Sequence, residues 1–213
     1  MPTHRLLLLK TGIAMSMPQP TQFDLWTWEK TKDIIRTLPG RLGFPKTDVL
    51  HFLDLEVHLD DGSIIDTTLN EPFDPRIEYV FFLLHQYSKA TEVPLTGKLI
   101  SYRQISGGRV YGAVFDGRVV NPIQKLLGSS PDLFEKAAKQ LKGEPATVGD
   151  LSFTILAFPH VPYTYTLWKA DDEFPARARV FLDGSASSYL DAEAHAHLAS
   201  LATHRLLAIS QTL

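Results

Sequence analysis

Apolar positions along the chain recur with two periods, near 3.6 and near 2, and the changes between them predict the elements. Leu25, Trp28, Ile35 and Leu38 keep close to helical spacing and predict a helix over 23–38, ended by Pro39-Gly40. Leu53, Leu55, Val57 and Leu59 alternate with Asp54, Glu56 and His58, so 50–59 reads as one strand. Asp60-Asp61-Gly62 then turns the chain into a partner strand at 63–68. After turn chemistry over 70–75, Ile77, Val80, Phe81 and Leu84 form one stripe with Phe82 and Leu83 beside it, predicting a core helix over 76–87. The stretches 98–104 and 109–115 read as strands joined by a Ser106-Gly107-Gly108 hairpin. Helices follow at 120–127 and 131–141, the second capped by Gly143. Three further strands are predicted at 151–158, 163–168 and 177–182. The last helix runs over 190–209. Asp191 and Glu193 lie at its positive end, and a serine of Gly184-Ser185-Ala186-Ser187-Ser188 is its expected cap.

Strands joined by short turns make an antiparallel sheet. The fold class is therefore α+β, an antiparallel sheet of several hairpins packed with about five helices. Pro and Gly punctuate the chain evenly, without internal repeat or low-complexity stretch. The organisation expected is an irregular lead-in over 1–20 and a single α+β domain over 21–213.

Composition narrows the function classes. The 213 residues are 44% hydrophobic and 21% charged, ordinary globular values. A formal net charge of −3 gives no cationic footprint for nucleic acid. The absence of cysteine removes disulfides, thiolate metal sites and a cysteine nucleophile. Arg5 followed by Leu6-Leu7-Leu8-Leu9 has the order of a secretory leader, but Lys10 interrupts the run and no small-residue cleavage site follows. No apolar run has the length of a membrane span. The expectation is a cytoplasmic protein that binds neither membrane nor nucleic acid.

The most informative stretch is Trp168-Lys169-Ala170-Asp171-Asp172-Glu173-Phe174-Pro175. Three consecutive carboxylates sit at one bend between strands, where their repulsion calls for water, a cation or a protonation shift. Arg177 and Arg179 share a face of the next strand and are candidate ion-pair partners. The bend is read either as a solvated turn or as a corner that turns inward to a recess holding a ligand. Ser106-Gly107-Gly108, flanked by Arg103 and Arg109, can hold an anion on backbone N–H groups and guanidiniums, or serve only as a turn. His160 lies at the bend joining two strands. His51 and His58 fall on opposite faces by parity, and His197 and His204 share a helix side too far apart to ligate one metal. No metal set, nucleophile elbow or phosphate-loop fingerprint occurs. The candidate ligand-binding residues are Arg103, Gly107, Gly108, His160, Trp168, Asp171, Asp172 and Glu173; the pattern names no metal site and no cofactor.

Three blocks carry a resemblance to a known family. They are Pro94-Leu95-Thr96-Gly97-Lys98-Leu99-Ile100-Ser101-Tyr102-Arg103 with Gly107-Gly108, then Asp150 with Phe158-Pro159-His160-Val161-Pro162 through Trp168 and Asp171-Asp172-Glu173-Phe174-Pro175, then Phe181-Leu182-Asp183 with Ser185, Tyr189-Leu190 and Glu193. The chain resembles the uncharacterised bacterial and archaeal domain-of-unknown-function family 3786. That resemblance implies a prokaryotic protein and a link to corrinoid or one-carbon metabolism, through relatives joined to cysteine-rich Fe–S modules that this chain lacks. A glycine is usual in the family where Ala170 stands. Three function classes follow: a small-ligand or cofactor-binding protein, with a tetrapyrrole as one candidate; a protein-interaction or assembly module; and an enzyme using a carboxylate, with or without a metal.

Overall fold

The computed structural model describes residues 25–128, 130–170 and 172–213. The expected lead-in over 1–20, the first residues of the 23–38 helix and Asp171 lie outside them. In chain order the elements are α1 (Trp28–Ile35), β1 (Val49–Phe52), β2 (Leu55–His58), β3 (Ile64–Asp66), β4 (Glu71–Pro72), α2 (Val80–Ser88) and β5 (Leu99–Ser101). They continue with α3 (Gly108–Phe115), α4 (Asn121–Leu127), α5 (Pro131–Gln140), β6 (Glu144–Pro145), β7 (Leu151–Phe158), β8 (Val161–Trp168), β9 (Arg177–Asp183) and α6 (Ala192–Ser210). Two antiparallel sheets result, β1-β2-β3-β4 and β5-β9-β8-β7-β6, so the class is α+β. No described helix is long and apolar enough to cross a membrane.

The sequence pattern misreads two places. The 50–59 strand is two strands, β1 and β2, joined by a turn at Leu53-Asp54 with φ of 47° and 55°. A two-residue turn leaves the alternation nearly intact. Its trace is the switch from even-numbered buried positions, Leu50 and Phe52, to odd-numbered ones, Leu55, Val57 and Leu59. The turn also reverses the parity argument: His51 pairs with Glu56 and His58 with Val49, so the two histidines share a face. The second misreading is the 98–115 hairpin. Only Leu99–Ser101 is strand there, and Gly108–Phe115 is helix. A Cβ on Gly108 would stand 2.0 Å from the Tyr102 carbonyl oxygen, and one on Gly112 2.8 Å from Arg103 Nε. This close approach lets Phe115 stack on Tyr102 at 4.1 Å. Tertiary packing overrides the strand propensity of Val110, Tyr111 and Val114.

Helix α6 is buried on nearly all sides and packs against α2, α3, α5 and β7. Its N-cap is Asp191, whose side chain accepts from the Ala194 N–H at 2.8 Å, and not a serine of 185–188. Buried polar bonds fix its rotation. The Tyr163 hydroxyl lies 2.8 Å from His195 Nδ1, while His195 Nε2 lies 3.0 Å from the Ala186 carbonyl oxygen. A carbonyl only accepts, so Nε2 carries the proton and Nδ1 accepts from Tyr163. Tyr165 reaches Thr203 and the Ala199 carbonyl. Near the C-terminus, Arg205 gives Asp54 a bidentate pair at 2.8 and 2.7 Å and reaches Asp66 at 2.7 Å. These bonds tie α6 to both sheets, which also touch directly where Phe52 meets Phe158 at 4.9 Å.

Arg205 and Asp66 are both buried. Arg205→Met is expected to cost about 3–5 kcal/mol in urea unfolding, because Asp54 and Asp66 lose their counterion inside the protein. Adding Asp54→Asn and Asp66→Asn should return part of that loss; a single-variant cost within experimental error of zero would contradict the packing described.

Burial pushes the His195 pKa down from 6.5 to about 4, and His204 moves the same way for the same reason. The unfolded chain therefore binds more protons than the folded one between these values. Stability is expected to fall as pH drops from about 6.5 toward 4, by roughly 3 kcal/mol from His195 alone. Denaturant midpoints across that range should fall in the wild-type protein, and His195→Leu should flatten the slope.

Candidate functional site

The turn between β7 and β8 carries Pro159 and His160, and it faces the irregular segment 90–98. Tyr87 of α2 fixes the turn: its hydroxyl donates to the Leu42 carbonyl at 2.8 Å and accepts from the His160 N–H at 3.2 Å. Burial holds this phenol protonated, with a pKa well above the ordinary one. The His160 ring stacks on Tyr189 at 5.7 Å. Tyr189 in turn accepts from the Val93 N–H at 3.1 Å and donates to the Val93 carbonyl.

Asp183, the last residue of β9, fixes the rest of the segment. One carboxylate oxygen accepts from Thr96 N at 2.9 Å, Thr96 Oγ1 at 3.0 Å, Ser185 N at 2.8 Å and Ser185 Oγ at 2.7 Å. The other accepts from Gly97 N at 2.7 Å. Burial alone would raise the pKa of Asp183, but the donors of Thr96 and Ser185 hold it below the ordinary carboxylate range. The segment is thereby ordered without a strand or helix of its own.

Between segment and turn lies an open groove of about 450 Å³ lined by Glu92, Val93, Pro94, Leu95 and His160. His160 Nε2 is buried and makes no hydrogen bond. It stands 3.3 Å from Glu92 Oε1, close enough for charge attraction but outside hydrogen-bond alignment. Gly43 lies against the ring; a Cβ there would come within 3.0 Å of Nε2. The groove thus presents a carboxylate and an imidazole at one end and aliphatic side chains along its wall.

The other sequence-predicted residues lie elsewhere. Gly107 and Gly108 begin α3, beside a second open groove of about 520 Å³ lined by Arg103, Gln104, Ile105, Ser106, Gly107, Arg109 and Val110. Arg103 is held there by Asp116 at 2.6 Å. Trp168 ends β8, half-buried, with the Arg179 guanidinium 5.9 Å from its ring centroid. Asp172 and Glu173 are exposed, so the corner does not turn these carboxylates into a recess. Arg177, one of the expected ion-pair partners, sits over the Phe174 ring. His160 and this corner stand at opposite ends of β8, an eight-residue strand about 25 Å long.

A further polar cluster was hidden in the sequence. Glu78 and its neighbour Tyr79 have φ of 53° and 56°, left-handed values that cost energy in residues other than glycine. Glu78 is buried; its carboxylate accepts from Ser200 Oγ at 2.7 Å and from His197 Nδ1 at 2.9 Å, with Arg118 Nη1 at 3.9 Å. Arg118 sits in a π-turn over Asp116–Val120. Burial would raise the Glu78 pKa, but hydrogen bonds from His197 and Ser200 bring it below the ordinary value. The cluster orients an imidazole without forming a Ser–His relay, since both residues bond the glutamate. Among the described residues no group of three or more His, Asp or Glu side chains is arranged to hold a metal. Glu78 was unrecognised because it interrupts an apolar stripe that reads as ordinary helix.

The three blocks that resemble the family meet at the first groove. Pro94 and Leu95 line it, His160 closes it, and Asp183 and Tyr189 brace it. A family model described as domain of unknown function (DUF3786) matches residues 35–205. No curated protein and no solved structure matches the chain. The family match takes in both sheets, the groove and most of α6, and on that extent the chain belongs to the domain-of-unknown-function family DUF3786.

Proposed function

We propose that the protein binds a small molecule in the groove between segment 92–95 and His160. The observation that carries this reading is the convergence of residues from three distant blocks on one groove, through Tyr87, Asp183 and Tyr189. The bracing is more elaborate than a surface loop needs, and an ordered groove binds with less entropy lost than a mobile one.

The lining defines the ligand class. Glu92 is a carboxylate at the mouth, and Val93, Pro94 and Leu95 offer apolar contact. The ligand suited to this pair is a small amine with an apolar portion, its ammonium directed at Glu92 and its carbon skeleton laid along the wall. A metal-bearing tetrapyrrole fits less well. Its metal would require His160 Nε2, which is buried and has Glu92 Oε1 3.3 Å away. The natively purified protein is accordingly expected to be colourless in the visible range.

Benzylamine, which joins an ammonium to an apolar ring, is a direct probe. Thermal shift and calorimetry should give saturable binding to the wild-type protein. Glu92→Gln should weaken it about tenfold or more while leaving the melting temperature of the free protein within about 2 °C, because Glu92 is largely exposed. Equal binding by both proteins, or a tetrapyrrole spectrum in the purified protein, would refute the reading.

A further inference from the structure

His160 is held in place with one ring nitrogen unmatched. Its backbone N–H donates to Tyr87 and its ring stacks on Tyr189. Nε2 is buried and makes no hydrogen bond, although the side chain as a whole keeps 26% of its surface exposed. Glu92 Oε1 stands 3.3 Å away without bonding alignment. Glu92 is 59% exposed, and a side chain that open to solvent can turn onto Nε2 by changing its own rotamer. The groups that face the ring from the elements packed against it are Glu92 of segment 90–98, Tyr87 of α2 and Tyr189 beyond β9; from the chain before β1 it meets Gly43, which brings no charge. Burial keeps the Tyr87 phenol un-ionised. Glu92 is the one carboxylate of the set.

A proton on the ring changes what Nε2 requires. In the neutral imidazole one nitrogen donates and the other accepts, whereas in the imidazolium both donate. A buried donor without an acceptor is costly, and the acceptor at hand is Glu92. Nε2–H then donates to Oε1 in a charge-assisted bond. The same carboxylate faces the ammonium in the amine reading of the groove. Drawn onto the imidazolium, it is lost to the ammonium, and the imidazolium repels a second cation in the same groove. Both effects have one sign: a proton on His160 opposes amine binding.

With the groove as an amine site, on which the idea rests, we propose that His160 is its proton-operated release. A proton on the ring and an ammonium in the groove compete for Glu92. The amine is held while the ring is neutral and let go as the pH falls through the range in which imidazoles titrate. Linkage makes the competition reciprocal, so a bound amine resists protonation of the ring.

Calorimetry with benzylamine between about pH 8 and about pH 5.5, above the ordinary carboxylate range, is the test. The wild-type protein should lose about fivefold or more in affinity across it. His160→Gln carries no charge at either pH and should keep its affinity within about twofold. The variant retains His195, so any pH-linked loss of stability is common to both proteins and cannot produce the difference. The wild-type protein also gives a readout that needs no variant: by NMR, saturating benzylamine should move the titration midpoint of the His160 ring about one pH unit lower. A level wild-type affinity, an equal fall in His160→Gln, or a ring midpoint unmoved by benzylamine would overturn the release and leave the amine site standing. Absence of binding by the wild-type protein at every pH would refute the amine site itself, and the release with it.

Discussion

The carboxylate of Asp183 is the constraint on which the site depends. A buried carboxylate without donors is costly, and here donors arrive from Thr96, Gly97 and Ser185. Thr96 and Gly97 are almost ninety residues away in sequence, in a segment with no backbone ladder to hold it. Bonds to a charged acceptor are stronger than neutral ones, which suits them to ordering such a segment against its conformational entropy. Tyr189 repeats the device a few residues earlier, gripping both backbone groups of Val93. The groove beside His160 exists because these two side chains fix the segment that forms its wall.

Behind the groove the fold is organised by α6. A helix buried on all sides could rotate or slide if its contacts were only apolar, because apolar burial has little directionality. The polar bonds along α6 remove that freedom: His195 and Thr203 meet tyrosines of β8, His197 and Ser200 meet Glu78, and Arg205 meets the aspartates of the small sheet. Each is satisfied, which makes it tolerable in the core and intolerant of losing a partner. The strained Glu78-Tyr79 pair fits this account, since its left-handed backbone aims the carboxylate at α6.

Much of this architecture was legible because local pattern and tertiary structure agree. Strands β7, β8 and β9, helix α5 and the long last helix follow directly from alternation, stripe and punctuation. The failures occur where tertiary contacts decide. The two-residue turn at Leu53-Asp54 preserves the appearance of one strand, and α3 is helical because Gly108 and Gly112 allow close packing over Tyr102 and Arg103. Among the site residues, His160 was visible as a histidine at a bend. Its neighbours Glu92, Tyr87 and Tyr189 were not, because only the folded chain brings them together. The acidic stretch was conspicuous in the sequence, but charge density alone carries no direction. Asp172 and Glu173 are exposed at the far end of β8.

The central claim is that Asp183 orders the groove wall through its donors. Asn at this position keeps the size and one accepting oxygen, but it loses the charge that strengthens every bond and turns an NH₂ group, which cannot accept, toward a donor that the second carboxylate oxygen served. Hydrogen exchange on Asp183→Asn tests the claim amide by amide. The account predicts that Thr96, Gly97 and Ser185 exchange at least about tenfold faster while β8 and α6 keep their protection. Unchanged protection at those three amides would contradict it, and would mean that the segment is ordered by something other than this carboxylate.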